Sequence, residues 1–141
     1  MKIMAIDYGD AHTGIAVSDM SRTIAGYTTV INERSREKLL NKVIELIKTH
    51  NIAEIVVGKP LNMNGTVGER AEKCMTFAEQ LRERTDCKVV LWDERRTSVD
   101  ANRILSDAGK KRGKQKKLVD AVAASLILQG YLDFIAMKSD R

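Results

Sequence analysis

Histidine, cysteine and aromatic residues are all scarce in this sequence, and each scarcity narrows what the chain can do. Only His12 and His50 occur, and no Ser/His/Asp or Cys/His arrangement presents itself, so covalent catalysis through an activated nucleophile fits poorly. Aromatic residues make up 4%, which leaves few platforms for stacking bases. Cys74 and Cys87 form no metal-spacing motif, and two reduced thiols are expected. No run of about 18 apolar residues is expected to cross a bilayer. The opening stretch from Met1 turns acidic at Asp7, too soon for a signal peptide. These absences describe a soluble protein of a reducing cytoplasm with no membrane partner.

What is present is an ordinary globular balance: 141 residues, 43% apolar and 30% charged. That excludes whole-chain disorder and suits one core. No repeat or linker interrupts the pattern, so residues 1–141 are expected to form a single domain. The net charge is +5, yet the stretch 110–117 alone carries six basic residues and no acid, so the remainder sums to −1. Such a local patch suits a polyanion such as nucleic acid; a solvated surface loop is the alternative.

Apolar runs rich in β-branched residues predict strands over 2–7, 13–18, 23–31, 52–58 and 88–92. Ser35 reads as a helix N-cap ahead of Leu39, Leu40, Val43, Ile44, Leu46 and Ile47 at helical spacing. Further helices are predicted over 66–85, 98–105 and 117–136. Short connections make the first three strands an antiparallel meander, and intervening helices make the last two parallel neighbours with right-handed crossovers. The expected fold is α/β: a five-stranded mixed sheet, three strands antiparallel and then two parallel, flanked by helices on both faces.

In open α/β sheets, ligands gather outside the carboxyl ends of the parallel strands. The first strand ends at Asp7 and the fifth at Asp93 and Glu94, so distant acids would share one rim. Strand alternation favours Glu94 over Asp93 only weakly. Asp120 supplies a third acid, set in an apolar helix whose same face carries Ala123, Ala124, Ile127 and Tyr131. A carboxylate in such surroundings needs a partner, either a metal ion or an Arg or Lys. Three converging acids suit Mg²⁺ or Mn²⁺, and a pair of such ions can activate water and stabilise the leaving oxygen in phosphodiester cleavage without a histidine base.

Neighbouring loops fit a phosphate-handling site. Gly9 lets the backbone turn tightly beside Asp7, and Lys59 follows Gly58 at the end of the fourth strand. Arg95 and Arg96 flank Glu94, where each could contact substrate or neutralise a structural acid. Lys110, Lys111, Arg112 and Lys114 join the helix that bears Asp120, and are expected to track phosphates.

At these residues the chain resembles the YqgF/RuvX family of RNase H-like nucleases. The resemblance rests on four stretches in order: 7–19, 57–66, 93–98 and 119–124. It implies Asp7, Glu94 and Asp120 as an acidic catalytic and metal-binding triad, and a role in maturing the 5′ end of precursor 16S ribosomal RNA. The family's link by fold to Holliday-junction resolvases keeps branched DNA open as a substrate, with a monomer or a homodimer as the acting unit. One departure stands out: His12 occupies a position near which the family usually has Arg, so a phosphate contact or an acid-pairing role there would be weaker or pH-dependent. A catalytically silent nucleic-acid-binding factor on the same scaffold is the reading from another class. An actin-like ATPase would need two lobes, for which the chain is short.

Overall fold

The computed structural model describes residues 1–96 and 115–139, and the side chains of 1–95 and 121–138. Five strands form one sheet: β1 (Lys2–Asp7), β2 (His12–Ser18), β3 (Ala25–Asn32), β4 (Ile52–Lys59) and β5 (Lys88–Asp93), in the order β3-β2-β1-β4-β5. β1, β2 and β3 pair antiparallel, while β4 lies parallel to both β1 and β5. The mixed sheet expected from the sequence is therefore the one observed. Because β3 reverses twice from β1, four of the five strands point the same way. The ends of β1, β3, β4 and β5 all open on one rim.

Period-2 alternation sorts the side chains of each strand between two cores. Met4, Ile6, Ile15, Val17, Ile55, Val57 and Val89 face helices α1 (Arg36–His50) and α2 (Glu69–Arg82). Ile3, Ala5, Ala16, Val56 and Trp92 face the last helix, α3 (Gln115–Ser139). Phe77, fully buried, stacks on Tyr8 with centroids 4.6 Å apart and ties α2 to the residue after β1.

α1 begins where the sequence places it. The Ser35 hydroxyl accepts from the Lys38 amide at 3.3 Å, and Asn51 ends the helix in the left-handed conformation at φ 55°. Leu39, Leu40, Val43 and Ile47 form its buried stripe, and Ile44 and Leu46 pack at the edge.

Three elements differ from expectation by two residues or more at an end, two of them with starts set by local bonds. α2 starts at Glu69 and not at 66, because Asn62, Asn64 and Thr66 bond one another and Gly65 turns at φ +86°. β3 starts at Ala25 and not at 23, because Asp19 Oδ1 accepts the amides of Thr23 and Ile24 and holds them in a turn. α3 extends past both expected ends of 117 and 136. A fourth expectation needs correcting. The stretch Ala121–Lys138 of α3 is, by length and composition alone, apolar enough to cross a membrane. Its residues Ala124, Ile127, Leu128, Tyr131 and Leu132 are buried against the sheet, and 28% of the stretch is buried in all. The helix predicted over 98–105, and with it Lys110, Lys111, Arg112 and Lys114, lies outside the described residues.

Candidate active site

The three parallel strands β1, β4 and β5 carry their last residues to the rim together. Alternation continues beyond them. Ile3 and Ala5 face α3, so Asp7 comes next in phase; Val90 and Trp92 face α3, so Glu94 does too. Glu94 opens a single 3₁₀ turn, Glu94–Arg96, directly after β5. Between the two acids runs β4, whose Gly58 pairs with Trp92. A Cβ on Gly58 would stand 2.6 Å from Ile127 Cδ1, 3.0 Å from Glu94 Oε1 and 3.2 Å from Glu94 Cδ. The Glu94 carboxylate thus folds back over the bare end of the middle strand, under α3. Only a glycine leaves that seat open.

The structure gives Asp93 and Glu94, left open in the sequence, different surroundings. Asp93 is gripped by Arg95, whose Nε reaches Oδ1 and Oδ2 at 3.1 Å and whose Nη2 reaches Oδ2 at 2.8 Å. The Arg95 amide also donates to Oδ1, and the guanidinium lies against Gly65. Asp93 and Arg95 therefore pin the 3₁₀ turn to the loop after β4, and Glu94 is left facing the rim.

Arg70, in the first turn of α2, stands with Nη2 3.9 Å from Asp7 Oδ1. Burial holds the Glu94 carboxyl above its ordinary range, Arg70 opposes this, and the Asp93 charge adds to it. Cys74, one turn further along α2, senses the same group of charges. Burial pushes its thiol up to about 12, with Glu94, Asp7 and Asp10 adding and Arg70 opposing. The Cys74 sulfur is buried in the core between α2 and the sheet. The ion pairs of Arg70 with Asp7 and of Lys73 with Asp10 place both acids beside the start of α2.

An open groove of about 550 Å³ runs beside Asp7, lined by Tyr8, Gly9, Asp10, Ala11, His12, Glu69, Arg70 and Lys73. Gly9 is required by crowding, since a Cβ there would lie 2.3 Å from the His12 carbonyl oxygen. His12 Nδ1 donates to Asn32 Oδ1 at 2.6 Å across the β2–β3 ladder. Lys73 Nζ reaches Asp10 at 3.3 Å. Lys59 ends β4 opposite Asp93 in register, half-buried.

Of the residues singled out in the sequence, Asp7, Gly9, His12, Lys59 and Glu94 lie on this rim, and Arg95 is committed to Asp93. Asp120 falls within α3, four and seven residues before Ala124 and Ile127, so helical periodicity puts position 120 on the stripe that covers Gly58. Its side chain, like that of Arg96, is outside those described. Among the described residues no three His, Cys, Asp or Glu side chains gather closely enough to hold a metal ion. Arg70, Lys73 and Asp10 escaped the sequence reading. The signal was available: a helix that follows a rim strand through one loop must begin at the rim, so cations at i and i+3 of its first turn face the site.

Among the described residues, a mixed sheet with two helices on one face, one on the other, and acids at the strand ends has the architecture of the RNase H-like fold. Thermus thermophilus RuvC, solved with a Holliday junction substrate, superposes with a TM-score of 0.64 at 14% identity, covering 95% of this chain and 96% of that one. The family model for RuvX, described as Holliday junction resolvase, matches residues 1–134, and the chain belongs to that family. Two relatives carrying the name "Putative pre-16S rRNA nuclease" are similar over nearly their whole length. That of Thermoanaerobacter pseudethanolicus is 44% identical over 134 residues, 94% of this chain and 96% of its own. That of Bacillus cytotoxicus is 47% identical over 135 residues, 94% of this chain and 98% of its own.

Proposed function

We propose that this chain, acting as one domain over 1–141, is a metal-dependent endonuclease that hydrolyses a phosphodiester bond in 5′-end processing of precursor 16S ribosomal RNA, in the cytoplasm. As a member of a nuclease family it is a hydrolase acting on nucleic acid. The observation that carries the reading is the pair of acids. Asp7 and Glu94, far apart in sequence, are phased onto one face of the rim, and Gly58 is kept bare where the Glu94 carboxylate rests.

The donor set fits a hard divalent cation. The carboxylates of Asp7 and Glu94 supply hard oxygen donors on the rim, with the Arg70 guanidinium 3.9 Å from Asp7. Asp7, Glu94 and Asp120 would hold Mg²⁺ or Mn²⁺. Metal bound there supplies a water nucleophile at neutral pH and charge stabilisation for the leaving oxygen. The chain's own groups do the rest. Arg70 and Lys73 line the groove as cations for the phosphates on either side of the cleaved bond, with His12 and the tight Gly9 turn on the opposite wall. Ile127 and Gly58 fix the position of the Glu94 carboxylate.

A second reading, cleavage of a DNA four-way junction, is favoured by the description of the family. It requires two matched sites, hence a homodimer, whereas rRNA trimming needs only a monomer. Purified protein offered a precursor rRNA fragment and a four-way junction, each with Mg²⁺ or Mn²⁺ and beside Asp7→Asn, separates them. Metal-dependent cleavage of the RNA that vanishes in Asp7→Asn supports the first reading. Paired nicks in the junction support the second. Binding without cleavage of either substrate would point to a silent binding factor, and cleavage surviving Asp7→Asn would refute the site.

A further inference from the structure

We propose that Arg34 and Arg36, on the wall between α1 and α2, bind a phosphodiester of the substrate strand beyond the one that is cut. This deepens the nuclease reading above and rests on it.

The direction of β3 places these residues. β3 runs the same way as β1, so its end at Asn32 and the α1 start just beyond it lie on the rim that carries Asp7. There a second polar groove of about 430 Å³ is lined by Tyr8, Asp10, Arg34, Arg36, Glu37 and Gln80. Tyr8 and Asp10 line the first groove as well, so the two are halves of one path, with Asp10 at the divide.

The charges in this second half do not cancel. Every acid around it already has a cation. Glu37 takes two parallel bonds from Arg84, at 2.9 and 2.7 Å, which hold its carboxyl below the usual range. Asp10 is held by Lys73 at 3.3 Å, and Glu33 by Lys42 at 3.3 Å and the Ser35 amide at 3.1 Å. Arg34 and Arg36 make no ion pair or hydrogen bond with the described residues, which leaves two uncompensated guanidinium groups lining one groove. The floor beneath them is polar too: Gln80 Oε1 is buried with no partner among the described residues. Paired forks of this kind match a phosphate's oxygens in a way that two lysines would not. A strand lying along the first groove, with its cut bond at Asp7, continues into the second without leaving the surface. The contact is to the phosphodiester, so RNA and DNA share it.

The test is the salt dependence of binding. Labelled single strands of RNA and of DNA with one sequence are titrated by fluorescence anisotropy against Asp7→Asn protein over a range of salt. The same is done with Arg34→Gln/Arg36→Gln added, and with Lys48→Gln/Lys138→Gln as a charge-matched control at helix ends away from the rim. On a single strand each phosphate contact contributes about 0.7 to the slope of log affinity against log salt, so loss of this one phosphodiester contact should lower it by roughly 0.7 on both strands. In protein with Asp7 intact, the same double change should raise KM and leave kcat within about twofold, since neither residue touches the reacting atoms. An unchanged slope, an equal fall in the lysine control, or a loss confined to one type of strand would overturn the proposal. If Asp7-dependent cleavage is absent altogether, the nuclease reading fails, while the slope still decides whether the groove binds phosphates.

Discussion

Gly58→Ala places one methyl group at the contact where β4, Glu94 and α3 meet. In an ordinary strand this change would help, because glycine in a strand interior costs about 0.5–1 kcal/mol relative to alanine. Here the new Cβ would stand 2.6 Å from Ile127 Cδ1, roughly 1 Å short of the usual carbon–carbon separation of about 3.5–4.0 Å. It would also press on the Glu94 carboxylate at 3.0 Å. Overpacking of this kind costs about 1–3 kcal/mol, so the sign of the stability change should reverse to a net loss. Urea unfolding followed by fluorescence of Trp92, the chain's one tryptophan and itself buried, reads this directly. Ile127→Val removes the clashing methyl. Alone it should cost about 0.5–1.5 kcal/mol. Combined with Gly58→Ala it should cost less than the sum, with a coupling of roughly 1 kcal/mol or more. Cleavage should not recover in the double variant, because the pressure on Glu94 remains. Gly58→Ala protein as stable and as active as the parent, or full recovery of cleavage by Ile127→Val, would refute the proposed seat for Glu94.

Three further outcomes follow from the charges. Burial raises the Glu94 carboxyl above its ordinary 4.5, so its ionisation opposes folding. Stability tied to this group is complete below 4.5 and is lost as pH rises through the folded value; in metal-free buffer Glu94→Gln should therefore be more stable than the parent, by a margin that opens as pH climbs, while abolishing cleavage. Asp19 is lowered from 3.8 to about 2, first by the Ser21 hydroxyl and then by the Thr23 amide. Its contribution is present above 3.8 and disappears as pH falls through about 2, so an acid titration should show the deficit of Asp19→Ala closing over that interval. The Arg70–Asp7 pair spans 3.9 Å and its arginine is 67% exposed, so Arg70→Ala should cost less than about 1 kcal/mol in urea unfolding and yet raise KM for substrate.

Much of the frame was legible because it depends on patterns local in sequence. Alternating and continuous apolar runs mark the strands, the spacing from Leu39 to Ile47 marks α1, and Ser35 marks its start, since period and capping are properties of a few neighbouring residues. Asp7 and Glu94 stood out because both fall where a strand ends. The starts of α2 and β3 were misplaced by two or three residues because side-chain bonds from Asn64 and Asp19 compete with the ladder or helix, and propensity does not register such bonds.

The residues therefore carried in themselves the order of the elements, the mixed sheet and the acids at the strand ends. All of these follow from short-range periodicity and from the handedness of crossovers. Folding settled what depends on contacts between distant segments. Asp93 rather than Glu94 is taken by Arg95, since the grip needs the 3₁₀ turn and the Gly65 loop side by side. Arg70 stands over Asp7 because α2 returns from the rim, a juxtaposition that no local spacing records. Gly58, which reads as simple punctuation in the chain, becomes a place where the Glu94 carboxylate lies between β4 and α3. The physical reason is close packing: which atoms exclude one another is decided only when the helix is laid on the sheet.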